Sequence, residues 1–102
     1  MGFHPASEKG FMAAIVEMAT LCGWRIYHVH DSRNSAAGFP DLVCVRGSRL
    51  LFVECKMRGK KATPAQVDWL VDLAGVRGVE CFLWTPDDWP HIERVLGIRP
   101  AG

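Results

Sequence analysis

The chain has 102 residues, 49% of them hydrophobic, and a formal net charge of +1. With a mean hydropathy of +0.06, this describes one globular domain of ordinary size and excludes a disordered or fibrous chain. The near-neutral total neither requires nor excludes a polyanionic partner, so only the local distribution of charge is informative.

No apolar stretch reaches the roughly 18 residues of a membrane span, and the N-terminus has no signal-peptide apolar core. We expect no membrane partner and a cytoplasmic, intracellular location. Cys22, Cys44, Cys55 and Cys81 form no C-x-x-C pair, and each lies in an apolar run. They read as reduced core residues, not as a disulfide frame or a zinc site. A chain of this length buries only about 60–65% of its unfolded surface. Its core is thin, and dimerisation would add stability.

In chain order, residues 7–22 have helical spacing, with Phe11, Met12, Ile15, Ala19 and Cys22 on one stripe and Gly23 as a stop. Glu8 shares that stripe one turn earlier, an unusual place for an acid, where it would be a favourable charge at the helix N-terminus. Residues 24–30 alternate and are aromatic or β-branched, which predicts a strand. Residues 31–40 (DSRNSAAGFP) predict a loop. Residues 41–46 and 49–56 predict two strands joined by a tight Gly47-Ser48 hairpin turn. The second of these is almost continuously hydrophobic, as in a central strand covered on both faces.

A basic loop follows at 57–62. Thr63-Pro64-Ala65-Gln66 then carries three helix-start signals: an N-cap, a first-turn proline and a capping-box glutamine. The helix should run to about Ala74 and bury Val67, Leu70, Val71 and Ala74. Residues 79–84 predict a fourth strand, and Thr85-Pro86-Asp87-Asp88 predicts the start of a last helix through about Leu96. The fold class is α/β, in the order α-β-β-β-α-β-α, with a single mixed β-sheet flanked by helices.

Three polar residues stand out in this apolar frame. Asp41 opens the second strand after Gly38-Phe39-Pro40. Glu54 and Lys56 sit two apart in the third strand and so project to the same face, while Val53 and Cys55 face the other way. A two-residue hairpin turn sets partner numbers that sum to 95, since Arg46 is then opposite Arg49. Asp41 is therefore expected opposite Glu54. Two carboxylates in that relation repel unless a cation lies between them. Mg²⁺ suits such a place because it takes oxygen ligands, needs only one or two carboxylates and keeps waters that a phosphate can displace. Lys56 beside it would hydrogen-bond a water or a scissile phosphate. Together these groups suit phosphodiester hydrolysis. The bland alternative is a Glu54–Lys56 ion pair near a strand end, with Asp41 solvated.

Pro40-Asp41 followed by Glu54-Cys55-Lys56 resembles the PD-(D/E)XK (restriction-endonuclease-like) nuclease signature. Glu8, Gly38-Phe39-Pro40-Asp41-Leu42, Phe52-Val53-Glu54-Cys55-Lys56 and Thr63-Pro64-Ala65-Gln66, in that order, make the chain similar to the VRR-NUC (virus-type replication-repair nuclease) branch. The resemblance covers residues 8 to about 90.

It implies an α-β-β-β-α-β core, Mg²⁺ or Mn²⁺ as cofactor, and DNA as substrate. It assigns Asp41 and Glu54 as metal ligands and Lys56 as the residue that orients the attacking water. It adds the Cys55 carbonyl as a further metal ligand. Glu8 would reach the site directly or through a water, and Gln66 would contribute from the second helix, where capping alone would also account for it.

Arg33, Asn34 and Ser35 would contact DNA, or form a polar turn without function. Arg58, Lys60 and Lys61 would hold the DNA backbone, or form a solvated turn. The whole of 1–102 would be one stand-alone nuclease domain, resembling Holliday-junction resolvases, with a homodimer acting on branched DNA. A bacterial or phage-infected cell suits so small a domain. The alternatives are a nuclease for flaps, nicks or plain duplex, or a DNA-binding module without catalysis. His4, His28, His30 and His91 receive no role, and Trp24, Trp69, Trp84 and Trp89 read as core or interface.

Overall fold

The computed structural model describes residues 4–29 and 36–97. Arg33, Asn34 and Ser35 lie outside the described residues. Among these residues three helices, α1 (Glu8–Leu21), α2 (Pro64–Ala74) and α3 (Trp89–Gly97), accompany four strands, β1 (Arg25–His28), β2 (Leu42–Arg46), β3 (Arg49–Cys55) and β4 (Val79–Trp84). The sheet runs β1-β2-β3-β4. Its first two pairings are antiparallel and the last, bridged by α2, is parallel. This is the expected single mixed sheet, with β3 in its interior.

The hairpin has the register that its turn dictates. Arg46 is paired with Arg49 and Leu42 with Val53. The turn has positive φ only at its first central residue, Gly47 at 60°, as in a type II′ turn whose twist matches the strands. Alternation then divides the sheet. Leu42, Cys44, Leu51, Val53, Cys55 and Trp84 form one buried layer with Phe11, Ile15 and Ala19 of α1 and Ile92 and Leu96 of α3. Asp41, Phe52, Glu54 and Lys56 belong to the opposite face by the same alternation. Cys44 and Cys55 are buried, Cys22 and Cys81 half-buried, and none of the four forms a disulfide.

The ends of α1 and α3 are tied together by one cluster. Trp24 Nε1 donates to the Leu96 carbonyl at 2.8 Å. Arg46 Nη1 donates to the carbonyls of Cys22 and Leu96, both at 3.0 Å, and its guanidinium lies 4.5 Å from the Trp24 ring centroid. Arg49 lies 5.1 Å from the same ring and donates to Val95 O at 3.2 Å. Positive charge thus meets carbonyls that the helix ends leave without an intrahelical partner.

Two expectations about helices need correction. No residue of α2 is fully buried. Val67 and Val71, expected in the core, are 44% and 64% exposed, and Ala74 is exposed, while Ala65, Trp69, Leu70 and Leu73 are half-buried. The cause is the loop before β2. Phe39 packs edge-on against Phe52 and Trp69, with ring centroids 5.9 and 5.0 Å apart, and Gly38 lies against Ala65. The helix turns its 65/69 side toward that loop and its 67/71 side outward.

The last helix is also divided. A 3₁₀ turn at Pro86–Asp88 precedes α3. Pro86 and Pro90 lack N–H donors, and the turn closes through Asp88 N–H to Thr85 O at 2.9 Å.

Candidate active site

The segment that delivers Asp41 is built against the start of α2. Gly38 has φ of 87°, and a Cβ there would come within 2.5 Å of the Ala65 backbone, so only glycine allows this approach. Pro40 is buried behind it. The Val29 N–H donates to Asp41 O at 2.8 Å, continuing the β1–β2 ladder past its assigned end. The Leu42–Val53 pairing places Asp41 beside Glu54, as the hairpin arithmetic requires.

Asp41 Oδ2 accepts a hydrogen bond from the Cys55 N–H at 2.8 Å. Glu54, on the face opposite the core layer, is the one buried charged residue among the described residues, 2% exposed. Its Oε2 is 3.7 Å from Lys56 Nζ, and its Oε1 is buried with no hydrogen-bond partner. Burial, followed by the neighbouring Asp41 charge, pushes the Glu54 carboxyl up to about 8, against a smaller opposing pull from Lys56. Burial, then the charges of Asp41, Glu54 and Glu8, also pushes the Cys55 thiol up. Burial alone pushes Cys44 up to about 11. Both thiols are inert packing groups at neutral pH.

Asp41, Glu54, Cys55 and Lys56 are therefore brought together. Glu8 is the exposed first residue of α1. Its charge reaches Glu54 and Cys55, but among the described residues no three His, Cys, Asp or Glu side chains form a metal cage. Gln66 closes the capping box: its Oε1 accepts from Thr63 N–H at 2.8 Å, and its N–H donates to Thr63 Oγ1 at 3.2 Å. Lys60 and Lys61 are exposed in the loop after β3. Arg58 is paired with Asp87, a residue that the linear chain presents only as a helix-start acid.

The donor set suits a hard divalent cation. An unpartnered buried carboxylate oxygen beside a second carboxylate is a costly arrangement, and a cation between the two would relieve both the repulsion and the missing contact. Mg²⁺ is commonly held by one or two carboxylates plus water and substrate oxygens, without an all-protein cage.

A mixed sheet of this order, with a proline–aspartate entry and an E-x-K strand end, is the fold of the PD-(D/E)XK-type nucleases. Among solved structures the chain is similar to a VRR_NUC domain protein, with a TM-score of 0.69 and 21% identity over 93% of each chain. It is also similar to Archaeoglobus fulgidus Hjc, a Holliday junction resolvase from an archaeal hyperthermophile. That match has a TM-score of 0.58 and 26% identity over 74% of this chain and 63% of that one. The likeness drawn from sequence motifs thus extends to the fold. No protein-family model and no curated protein matches the sequence. Among the described residues no helix is long and apolar enough to cross a membrane.

Proposed function

We propose that this chain is a metal-dependent nuclease that hydrolyses phosphodiester bonds in DNA, with branched DNA of the Holliday-junction type as its substrate. The observation that carries the reading is the buried Glu54 carboxylate, with one unpartnered oxygen, lying beside Asp41 and Lys56. A protein gains nothing in stability by burying an unsatisfied carboxylate next to another, and such perturbed groups concentrate at functional sites. The likeness to a VRR_NUC domain protein and to a junction resolvase supports both the reaction class and the substrate.

In this reading Asp41, Glu54 and the Cys55 carbonyl would hold Mg²⁺ or Mn²⁺, and Glu8 would contribute from α1 directly or through a water. When bound, the ion supplies Lewis-acid activation and offsets charge on the phosphate. The chain's own groups do the positioning. The Cys55 N–H holds one Asp41 oxygen and leaves the other for the ion. The Lys56 ammonium, kept near Glu54, hydrogen-bonds the attacking water or the scissile phosphate and stabilises its developing charge. Lys60 and Lys61 contact the DNA backbone without reading sequence.

The homodimer belongs to the same reading, because one junction offers two strands for two active sites. The apolar surface at Val67 and Val71 is available to a partner.

The test is cleavage of a four-way junction, a flap, a nicked duplex, a single strand and a matched duplex with Mg²⁺, Mn²⁺ or EDTA. Sedimentation would report the oligomeric state. Metal-dependent, symmetrical junction cutting that Glu54→Ala and Lys56→Ala both abolish is the expected result. Cutting of flaps, nicks or plain duplex would keep the site and change the substrate. Folded protein that binds DNA but cuts nothing with either metal would identify a binding module.

A further inference from the structure

The ion pair between Arg58 and Asp87 lies outside the residues that the reaction uses. Arg58 stands two residues beyond Lys56, and Asp87 lies in the 3₁₀ turn after β4. β3 and β4 are parallel neighbours, and the Lys56 N–H donates to Trp84 O at 2.9 Å. Both segments therefore leave the sheet at the end that carries the carboxylates.

Arg58 Nε donates to Asp87 Oδ2 at 2.9 Å, and Nη2 donates to Oδ1. A guanidinium uses this two-pronged geometry equally for a carboxylate or a phosphate. The two side chains are 64% and 57% exposed, and exposed ion pairs are weakly held. Beside them a cavity of about 170 Å³ is lined by His4, Pro5, Met57, Arg58 and Pro86. It is large enough for a phosphate group. The basic run of Lys56, Arg58, Lys60 and Lys61 is thus weaker than its sequence implies, because a carboxylate from the other side of the α2 crossover cancels one of its charges.

We propose that Asp87 is a built-in competitor for nucleic-acid phosphate at Arg58. It occupies the guanidinium fork and keeps this cation out of loose, non-specific contacts. The inference rests on the reading of the chain as a DNA nuclease. A neutral pair attracts no phosphate at long range and adds nothing to the release of counterions. Removing the carboxylate uncovers a full positive charge.

The test is fluorescence anisotropy with a labelled random-sequence duplex in EDTA, where no cleavage intervenes. Intact protein, Asp87→Asn, Arg58→Ala and the double variant would be titrated over a range of salt concentrations, with melting temperatures to confirm folding. Asp87→Asn should tighten binding several-fold at low salt and steepen the slope of log affinity against log salt by about 0.9, the increment for one more phosphate contact. Arg58→Ala alone should change the slope little, and the double variant should return it to that of the intact protein. Unchanged or weaker binding by Asp87→Asn, or loss of a whole contact from the slope in Arg58→Ala alone, would overturn the proposal while leaving the nuclease reading in place. No DNA binding by any of the four proteins would overturn both.

Discussion

The Cys55 backbone N–H donates to Asp41 Oδ2 at 2.8 Å, so a group on β3 sets the position of the carboxylate that enters β2. The neighbouring side chain on β3, Glu54, is the second carboxylate. One strand therefore supplies a member of the pair and fixes the other. This places the two acids side by side despite their repulsion, and the cost appears at Glu54, whose carboxyl is pushed up to about 8 by burial first and by the Asp41 charge second.

That cost predicts an unusual dependence of stability on pH. The folded Glu54 holds its proton up to about 8, against an ordinary value of 4.5. Its contribution is fully present below about pH 4.5 and is lost as pH rises toward and through 8. In EDTA the melting temperature should fall over that window, and Glu54→Gln should flatten the fall. Saturating Mg²⁺ or Mn²⁺ should reverse it, because a cation binds the deprotonated form and releases the proton. Thermal melts between pH 5 and 9, with and without metal, check this. Parallel curves for the intact protein and Glu54→Gln would remove Glu54 as the source.

Glu54→Gln should also separate stability from activity. The amide keeps the shape and carries no charge, so in EDTA at pH 8 the variant should melt higher than the intact protein. Cleavage and the metal-induced rise in melting temperature should both be lost. Calorimetry with Mg²⁺, beside a cleavage assay, reads the two effects independently.

Gly38→Ala should be costly at a distance from the chemistry. Its Cβ would meet the Ala65 carbonyl carbon at 2.5 Å with φ at 87°. A loss of at least about 2 kcal/mol is expected from the clash and the strained backbone. The loop carrying Phe39 and Asp41 would shift with it. Urea unfolding gives the stability change, and metal titration shows whether Asp41 has moved.

Gln66→Ala distinguishes a capping residue from a catalytic one. The capping box accounts for two of its contacts, so a loss of about 1 kcal/mol is expected on structural grounds. If capping is its whole role, kcat at a temperature well below the melt should be unchanged. A large drop in kcat in a fully folded variant would place Gln66 among the groups that act on substrate.

Much of the site was legible because it is local in sequence. A two-residue Gly47-Ser48 turn imposes the pairing that sums to 95, and that pairing alone brings Asp41 beside Glu54. The alternation of β3 puts Glu54 and Lys56 on one face. The capping box of Thr63 and Gln66 lies within four residues and formed as expected.

What the chain could not disclose in linear form depends on elements distant in sequence. The apolar spacing of α2 does not settle its rotation. Val67 and Val71 make as good a stripe as Ala65 and Trp69, and only the Gly38-Phe39 segment packed against the helix decides between them. The clamp of Trp24, Arg46 and Arg49 on the carbonyls of Cys22, Val95 and Leu96 joins residues up to 72 positions apart.

The pairing of Arg58 with Asp87 spans 29 positions and exists because β3 and β4 run parallel and end together. By itself, the sequence determined the elements, the hairpin register and hence the core of the site. Hydrogen-bonding turns and alternating strands act over a few residues, so their effects can be counted along the chain. Tertiary structure decided which helix face is buried, which cations are neutralised and how far Glu54 is removed from water. Those properties depend on which distant surfaces meet, and no local spacing encodes that.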